Sequence, residues 1–274
     1  MKSNNDLKSI LSHGNGSERV YLMDLHPDDF PAIIGILDQM ASEYNYSKLF
    51  AKVPAKYGPS FINAGYIIEA SVPGFYNDCE DALFLMKYTT PERHIPETPE
   101  MMAFQKLLLK PVGSSKIEPL KGYQLRPLTQ NDAEAMACVF KKVFATYPFP
   151  IFDPDFLIKS MKTDDTRYFG AFYDNELIGI SSAECNVRKQ NAEMTDFAVL
   201  PHHRGKRLAN HLLSLMENSL ATDGFKTLYT IARLHSLPMN KTFYKQGYRY
   251  AGTLIRNTQI SGKIESMNVW YKKI

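Results

Sequence analysis

The sequence is poor in cysteine and tryptophan, with three of the first and one of the second in 274 residues. Cys79, Cys138 and Cys185 are odd in number and far apart. That pattern excludes the C-x-x-C spacing of a zinc site and the dense bridges of a secreted scaffold, and it points to free thiols in a cytoplasmic setting. Long apolar runs are missing too, so no membrane-spanning segment is expected, and residues 1–17 lack the apolar core of a signal peptide. Charge of one sign is also lacking. Lys and Arg number 32 against 29 Asp and Glu, a net charge of +3, and no basic run offers to hold a polynucleotide. His202 and His203 are adjacent and diverge on a turn, while His211 and His235 have no ligand-like partner, so no metal is expected.

What is present is an ordinary globular composition, 44% hydrophobic and 22% charged, in a chain long enough for one large or two modest domains. Its organising stretch is residues 193–210, EMTDFAVLPHHRGKRLAN. An apolar run with Met194, Phe197, Val199 and Leu200 meets a proline and a basic turn. Leu208, Leu212, Leu213, Leu215 and Met216 then recur at helical spacing. A strand, loop and helix in that order present free amides and the positive end of a helix dipole, which suits a diphosphate. A plain strand-to-helix turn with a solvated basic rim has the same pattern.

Ahead of this stretch, residues 19–25 read as a strand, 27–41 as a helix opened by Pro27, 48–53 as a strand and 55–64 as a broken helix. Strands follow at 66–72 and 82–88 around a 73–78 turn. The order of elements recurs from 193 to 273. Local texture recurs with it, Lys48-Leu-Phe-Ala-Lys-Val against Thr227-Leu-Tyr-Thr-Ile-Ala, and Asn63-Ala-Gly-Tyr against Lys245-Gln-Gly-Tyr. Residues 1–17 thus read as a flexible N-terminus, 18–90 as a first α/β domain and 91–119 as a proline-spotted linker with a helix near 100–110. Residues 120–274 read as the main domain.

Arg204-Gly205-Lys206-Arg207-Leu208-Ala209 resembles the Arg/Gln-x-x-Gly-x-Gly/Ala loop of the GNAT superfamily of acyl-CoA-dependent N-acetyltransferases. The resemblance implies an α/β (α+β) GNAT acyltransferase fold with a mixed, mostly antiparallel sheet, the first domain being a degenerate half of that fold. Acetyl-CoA is the implied cosubstrate, held by these six residues. Arg207 stands where the family usually has its middle glycine, which a side chain tolerates if the backbone there is helical. The resemblance further implies Glu193 as the general base, acting through water, and a backbone amide near Phe197 or Val199 for the oxyanion. In Asn240-Lys-Thr-Phe-Tyr244-Lys-Gln-Gly-Tyr it implies Asn240 on the pantetheine arm and Tyr244 as acid to the thiolate.

Residues 194–198, 229–233, 252–254 and 264–270, with 50–54 and 73–76 in the first domain, resemble the β-lysine N-acetyltransferase family over nearly the whole chain. The implied acceptor is the side-chain amine of β-lysine. Such a substrate wants carboxylates at one end and a cation at the other. Asp153, Glu184 and Asp196 are candidates for the ammonium and Arg233 for the carboxylate, with Tyr147 in the aromatic loop 144–154 as a specificity candidate. Simple alternation places Asp196 opposite Glu193, where an ion pair with Arg233 is an equal alternative. Acetylation of lysine or a polyamine, and a non-catalytic acyl-CoA-binding regulator, are the rival readings. For the first domain the options are scaffold, substrate lid or an interface such as that of a homodimer.

Overall fold

The computed structural model describes residues 7–111, 118, 120–147, 149–260 and 262–274. The Gly113-Ser114-Ser115 stretch and Pro119 of the expected linker, Pro148 of the aromatic loop, Ser261 and residues 1–6 lie outside the described residues.

The chain opens on an antiparallel edge, β1 (Ile10–Gly14) against β2 (Arg19–Asp24), where a flexible terminus was expected. The strand is pinned from a distance, because buried Asp29 accepts from both the amide and the hydroxyl of Ser9 at 2.7 Å. Helix α1 (Ala32–Glu43) buries Ile33, Leu37, Met40 and Ala41, a single stripe, over β2 and β3 (Lys48–Pro54). After α2 (Gly58–Asn63) come β4 (Ile67–Tyr76) and β5 (Glu80–Tyr88). Their turn is Asn77-Asp78, both at positive φ, the end of the expected 73–78 turn, while residues 73–76 extend β4; Gly74, at φ 58°, serves a register break within β4. Helix α3 (Thr98–Leu108) then sets Phe104 edge-on to Trp270.

The second half runs β6 (Tyr123–Pro127), α4 (Ala133–Val143), α5 (Pro154–Thr163), β7 (Thr166–Tyr173) and β8 (Glu176–Asn186). It continues through β9 (Asn191–Val199), α6 (Leu208–Thr222), β10 (Thr227–Arg233), α7 (Leu237–Lys245), β11 (Arg249–Ile260) and β12 (Lys263–Lys273). Thr129 and Asp132 form a capping box ahead of α4, and Asp174-Asn175, both at positive φ, close the β7–β8 hairpin as the sequence suggests.

Among the described residues twelve strands form one sheet, ordered β1-β2-β3-β5-β4-β11-β12-β10-β9-β8-β7-β6. The two expected domains therefore share a sheet, joined where β4 meets β11 at Ala70 and Gly252. The order β1-β2-β3-β5-β4 matches β8-β9-β10-β12-β11, with the same pairing senses throughout. A cluster holding Tyr21, Phe50 and Phe84 from the first half and Tyr229, Leu254 and Val269 from the second packs the two against each other. Phe75 meets Tyr229 with ring centres 4.9 Å apart, and Tyr21 stacks on Phe50 at 3.9 Å. Tyr21 and Phe50 also line a cavity.

Candidate active site

Strands β9 and β10 pair in parallel only from Asn191 opposite Thr227 to Glu193 opposite Tyr229, although both run on for several residues. Beyond Glu193 they part. A bulge at Asp196, whose φ is 54°, goes with the opening: Ser182 faces Thr195 and Ile180 faces Ala198, leaving two β9 residues against one on β8. The amide of Leu200 donates to Ile178 at 2.9 Å, so antiparallel alternation turns the Phe197 and Val199 amides away from β8 and into the gap.

The bulge also corrects the expectation for Asp196. Simple alternation put it opposite Glu193, yet Glu193, Thr195 and Asp196 line one cavity of about 460 Å³ together with Glu184, which pairs with Glu193 across β8 and β9. Tyr147 and Phe149 of the aromatic loop join the lining, and the Tyr147 hydroxyl donates to Asp196. Asp196 also accepts from Ser182 Oγ at 2.5 Å; burial raises its pKa, opposed by these hydrogen bonds. Removal from bulk water, then the charges of Glu193 and Asp196, push Glu184 up to about 8, although its side chain opens onto the cavity. Glu193 is raised chiefly by burial, with Lys52 and a hydrogen bond from Tyr229 pulling the other way. Lys52, from the first half, donates to the Tyr229 hydroxyl at 3.0 Å, and burial lowers its own pKa.

Two acceptor candidates lie elsewhere. Asp153 is exposed and caps α5, accepting from the Asp155 amide at 3.0 Å. Arg233 donates through Nε and Nη2 to the two oxygens of Glu265, both at 2.7 Å, and lines a separate depression with His235 and Lys263. A bidentate pair already fills its carboxylate-binding edge.

The loop before α6 suits a diphosphate. Arg204, Gly205, Lys206 and Arg207 are exposed, while Leu208 is buried and anchors the helix, with Ala209 half-buried beside it. No side chain caps α6, and Asn210 makes the first helical bond, to the Arg207 carbonyl, so the amides of Leu208 and Ala209 precede the ladder. Arg207 has φ 58° and ψ 25°, left-handed rather than helical, which accounts for the usual glycine and costs roughly 1 kcal/mol in a residue with a Cβ. Lys206 donates to the Tyr123 hydroxyl at 2.7 Å, and Arg204 Nε to the Val199 carbonyl at 3.0 Å.

On α7 the motif divides. Tyr244 is half-buried, and its hydroxyl donates to the carbonyls of Leu108 and Lys110 at the end of α3, both at 3.2 Å. Asn240 is fully buried, which corrects its expected place on the pantetheine arm. Its Nδ2 donates to the carbonyls of Arg233, Leu234 and Ser236, and its Oδ1 accepts from Asn268 Nδ2 at 2.8 Å and Trp270 Nε1 at 2.9 Å. No hydrogen-bonding capacity is left for a ligand.

A family model for the acetyltransferase (GNAT) family matches residues 133–248, the segment that carries the parted strands and the loop. A β-lysine N(6)-acetyltransferase of Methanococcus maripaludis is 36% identical over 267 residues, covering 96% of each chain. The chain belongs to the β-lysine N(6)-acetyltransferase family. A second protein of that name, from Methanosarcina mazei, is 26% identical over 89% of this chain and 98% of its own. N-acetyltransferase YodP of Bacillus subtilis is 28% identical over 97% of this chain and 96% of its own. Membership makes the protein a GNAT acyltransferase, and the likeness runs through the first half as well as the second. In this family member the first half supplies cavity residues that motif reading passed over, Arg19, Tyr21 and the 12–17 segment, as well as Lys52 behind Tyr229. Their signal in the sequence was faint, since Arg19, Tyr21 and Met23 simply alternate along an expected strand.

Proposed function

We propose that this enzyme transfers acetyl from acetyl-CoA to the side-chain amine of β-lysine, giving N6-acetyl-β-lysine. The observation that carries this reading is the convergence of three carboxylates, Glu184, Glu193 and Asp196, in one cavity beside the gap between β9 and β10. The acceptor carries two ammonium groups and one carboxylate, a net charge of +1, and such a cluster attracts its amine end. Acetyl-CoA supplies an activated acetyl thioester. Its diphosphate fits the exposed amides and cations from Arg204 to Ala209, and the gap-facing amides of Phe197 and Val199 are placed to hold negative charge.

An alkyl ammonium near pKa 10 is about 99.9% protonated at pH 7, so the amine must lose a proton before it can attack. Glu193 takes that proton, directly or through water. The hydrogen bond from Tyr229, itself bonded to Lys52, favours the ionised form of Glu193 that can accept it. Tyr244, by its place in the α7 motif, is the proposed donor to the leaving sulfur, and its hydroxyl must then leave the carbonyls of Leu108 and Lys110 to which it donates in the empty fold. The product has one positive charge fewer and is a net-neutral zwitterion, the chemistry of a compatible solute. The first half is proposed as a degenerate copy of the second. Gly65 and Gly247 share a positive φ before buried Tyr66 and Tyr248, and by strand register Tyr21 stands where the second copy has Glu193.

Thiol release from acetyl-CoA should be measured with β-lysine, α-lysine and spermidine, and the acetylated nitrogen located by NMR. β-Lysine should give the highest kcat/KM, modified at N6; equal values for α-lysine or spermidine would remove the assignment. Glu193→Gln should lower kcat about 100-fold and move the rate profile toward higher pH.

A further inference from the structure

Arg19 is a half-buried cation without an acid. It lines the cavity from β2, and among the described residues no carboxylate pairs with it. Its Nη1 donates to the Asn257 carbonyl at 2.7 Å and to Thr258 Oγ1 at 3.1 Å. The guanidinium lies over the Tyr21 and Phe50 rings, 5.1 and 5.7 Å from their centres. These contacts hold one edge of the planar group and one face. No described residue accepts from Nε or Nη2, the edge that meets a carboxylate side-on through two parallel hydrogen bonds. Burial, and to a lesser degree the charge of Arg93, pulls the group down to about 10. Arg93, by contrast, has Glu18 at 3.5 Å. The unfilled fork of this half-buried guanidinium faces the cavity, where an anion could take it through two charge-assisted hydrogen bonds.

The rest of the cavity is arranged by charge. Tyr21, the next cavity-facing residue along β2, lies within the fields of both Arg19 and Glu193, so it stands between the cation and the acids. Side chains two apart on a strand are separated by roughly 7 Å. An extended β-lysine has its N6 and carboxylate carbon about 7–8 Å apart by standard bond lengths.

Resting on the acetyltransferase reading above, we infer that Arg19 is the carboxylate anchor of the acceptor site, so that the first half measures the substrate from its acid end while the second half reacts with its amine end. The required ligand class is an amino acid with a distal amine, and polyamines are disfavoured because they leave the Arg19 fork empty. This assignment replaces Arg233, whose fork is closed by Glu265.

The test compares β-lysine with 1,4-diaminopentane, the same molecule without its carboxylate. The wild-type enzyme should prefer β-lysine by about 100-fold in kcat/KM, mostly through KM. Arg19→Met keeps the stem over Tyr21 and Phe50. It should abolish the preference by weakening β-lysine while leaving 1,4-diaminopentane turnover within about threefold, and that turnover reports that the variant is folded. Arg19→Lys should recover part of the preference. A variant that retains the full preference overturns the inference, and so does a wild-type enzyme that prefers β-lysine by less than about threefold, whether or not any variant folds. A wild-type enzyme inactive on β-lysine would instead remove the function proposed above, a result distinct from either.

Discussion

At the scale of single residues, the cavity works by holding carboxylates away from their ordinary ionisation. Glu184, pushed up toward about 8, changes charge within the neutral range, whereas the acceptor's side-chain ammonium stays charged to near pH 10. An ion pair between the two would form as Glu184 ionises and persist until the ammonium loses its proton. The acceptor KM should therefore fall about tenfold from pH 6.5 to 8.5, and Glu184→Gln should flatten that dependence; a parallel slope in the variant would assign the titration to another group. For the empty fold the sign is opposite. Between the unfolded carboxylate value near 4.3 and the folded value of about 8, the native state binds the extra proton, so stability declines as pH rises through that window. Acceptor binding should accordingly raise Tm more at pH 8.5 than at 6.5. Glu193 was legible through the family resemblance, and Glu184 because a cationic acceptor wants carboxylates. The face occupied by Asp196 was not, because a bulge formed by a left-handed aspartate leaves no glycine or proline to announce it.

At the scale of elements, α7 contributes as much through Asn240 as through Tyr244. Asn240 ties the end of β10, through the Arg233 and Leu234 carbonyls, to β12, through Asn268 and Trp270. Asn268 and Trp270 are themselves fully buried. Removing Oδ1 strands two buried donors, so Asn240→Ala should cost about 3 kcal/mol in urea unfolding. A stability within about 0.5 kcal/mol of wild type, with weakened acetyl-CoA binding, would return Asn240 to the cofactor. The motif exposed the residue but not its role, since its partners lie 28 and 30 residues further along the chain. Elements with strong local period, α4 and α6, were legible in the sequence, whereas the helix expected over 27–41 starts only at Ala32, because Pro27 opens a separate 3-10 turn. β1 was not, because what orders it is Asp29, some twenty residues away, closing on Ser9.

At the scale of the whole molecule, the cavity proposed for the acceptor exists because two halves with the same strand order share a sheet, and the seam between them is narrow. Three first-half cations reach successive carbonyls of β11: Lys48 to Ile255, Arg93 to Arg256 and Arg19 to Asn257. Glu69 joins them, accepting from the Ile255 amide at 3.0 Å and lying 3.5 Å from Lys48. Burial, partly offset by Glu69, lowers Lys48 to about 7. The strands themselves meet at Gly252, whose φ is 150° and whose missing Cβ would lie 1.9 Å from the Glu69 carbonyl oxygen. Only glycine allows that approach, and the contact is to backbone, so an alanine there must push β4 and β11 apart. The phosphate loop, the β9–β10 gap and α7 lie entirely in the second half, whereas the cavity wall from Ser12 to Tyr21 lies in the first. Gly252→Ala should therefore separate the two substrates kinetically, raising the acceptor KM about tenfold or more while the acetyl-CoA KM stays within about twofold. Equal losses for both substrates would mean that the seam supports the fold as a whole and that the acceptor site does not depend on how the halves are set.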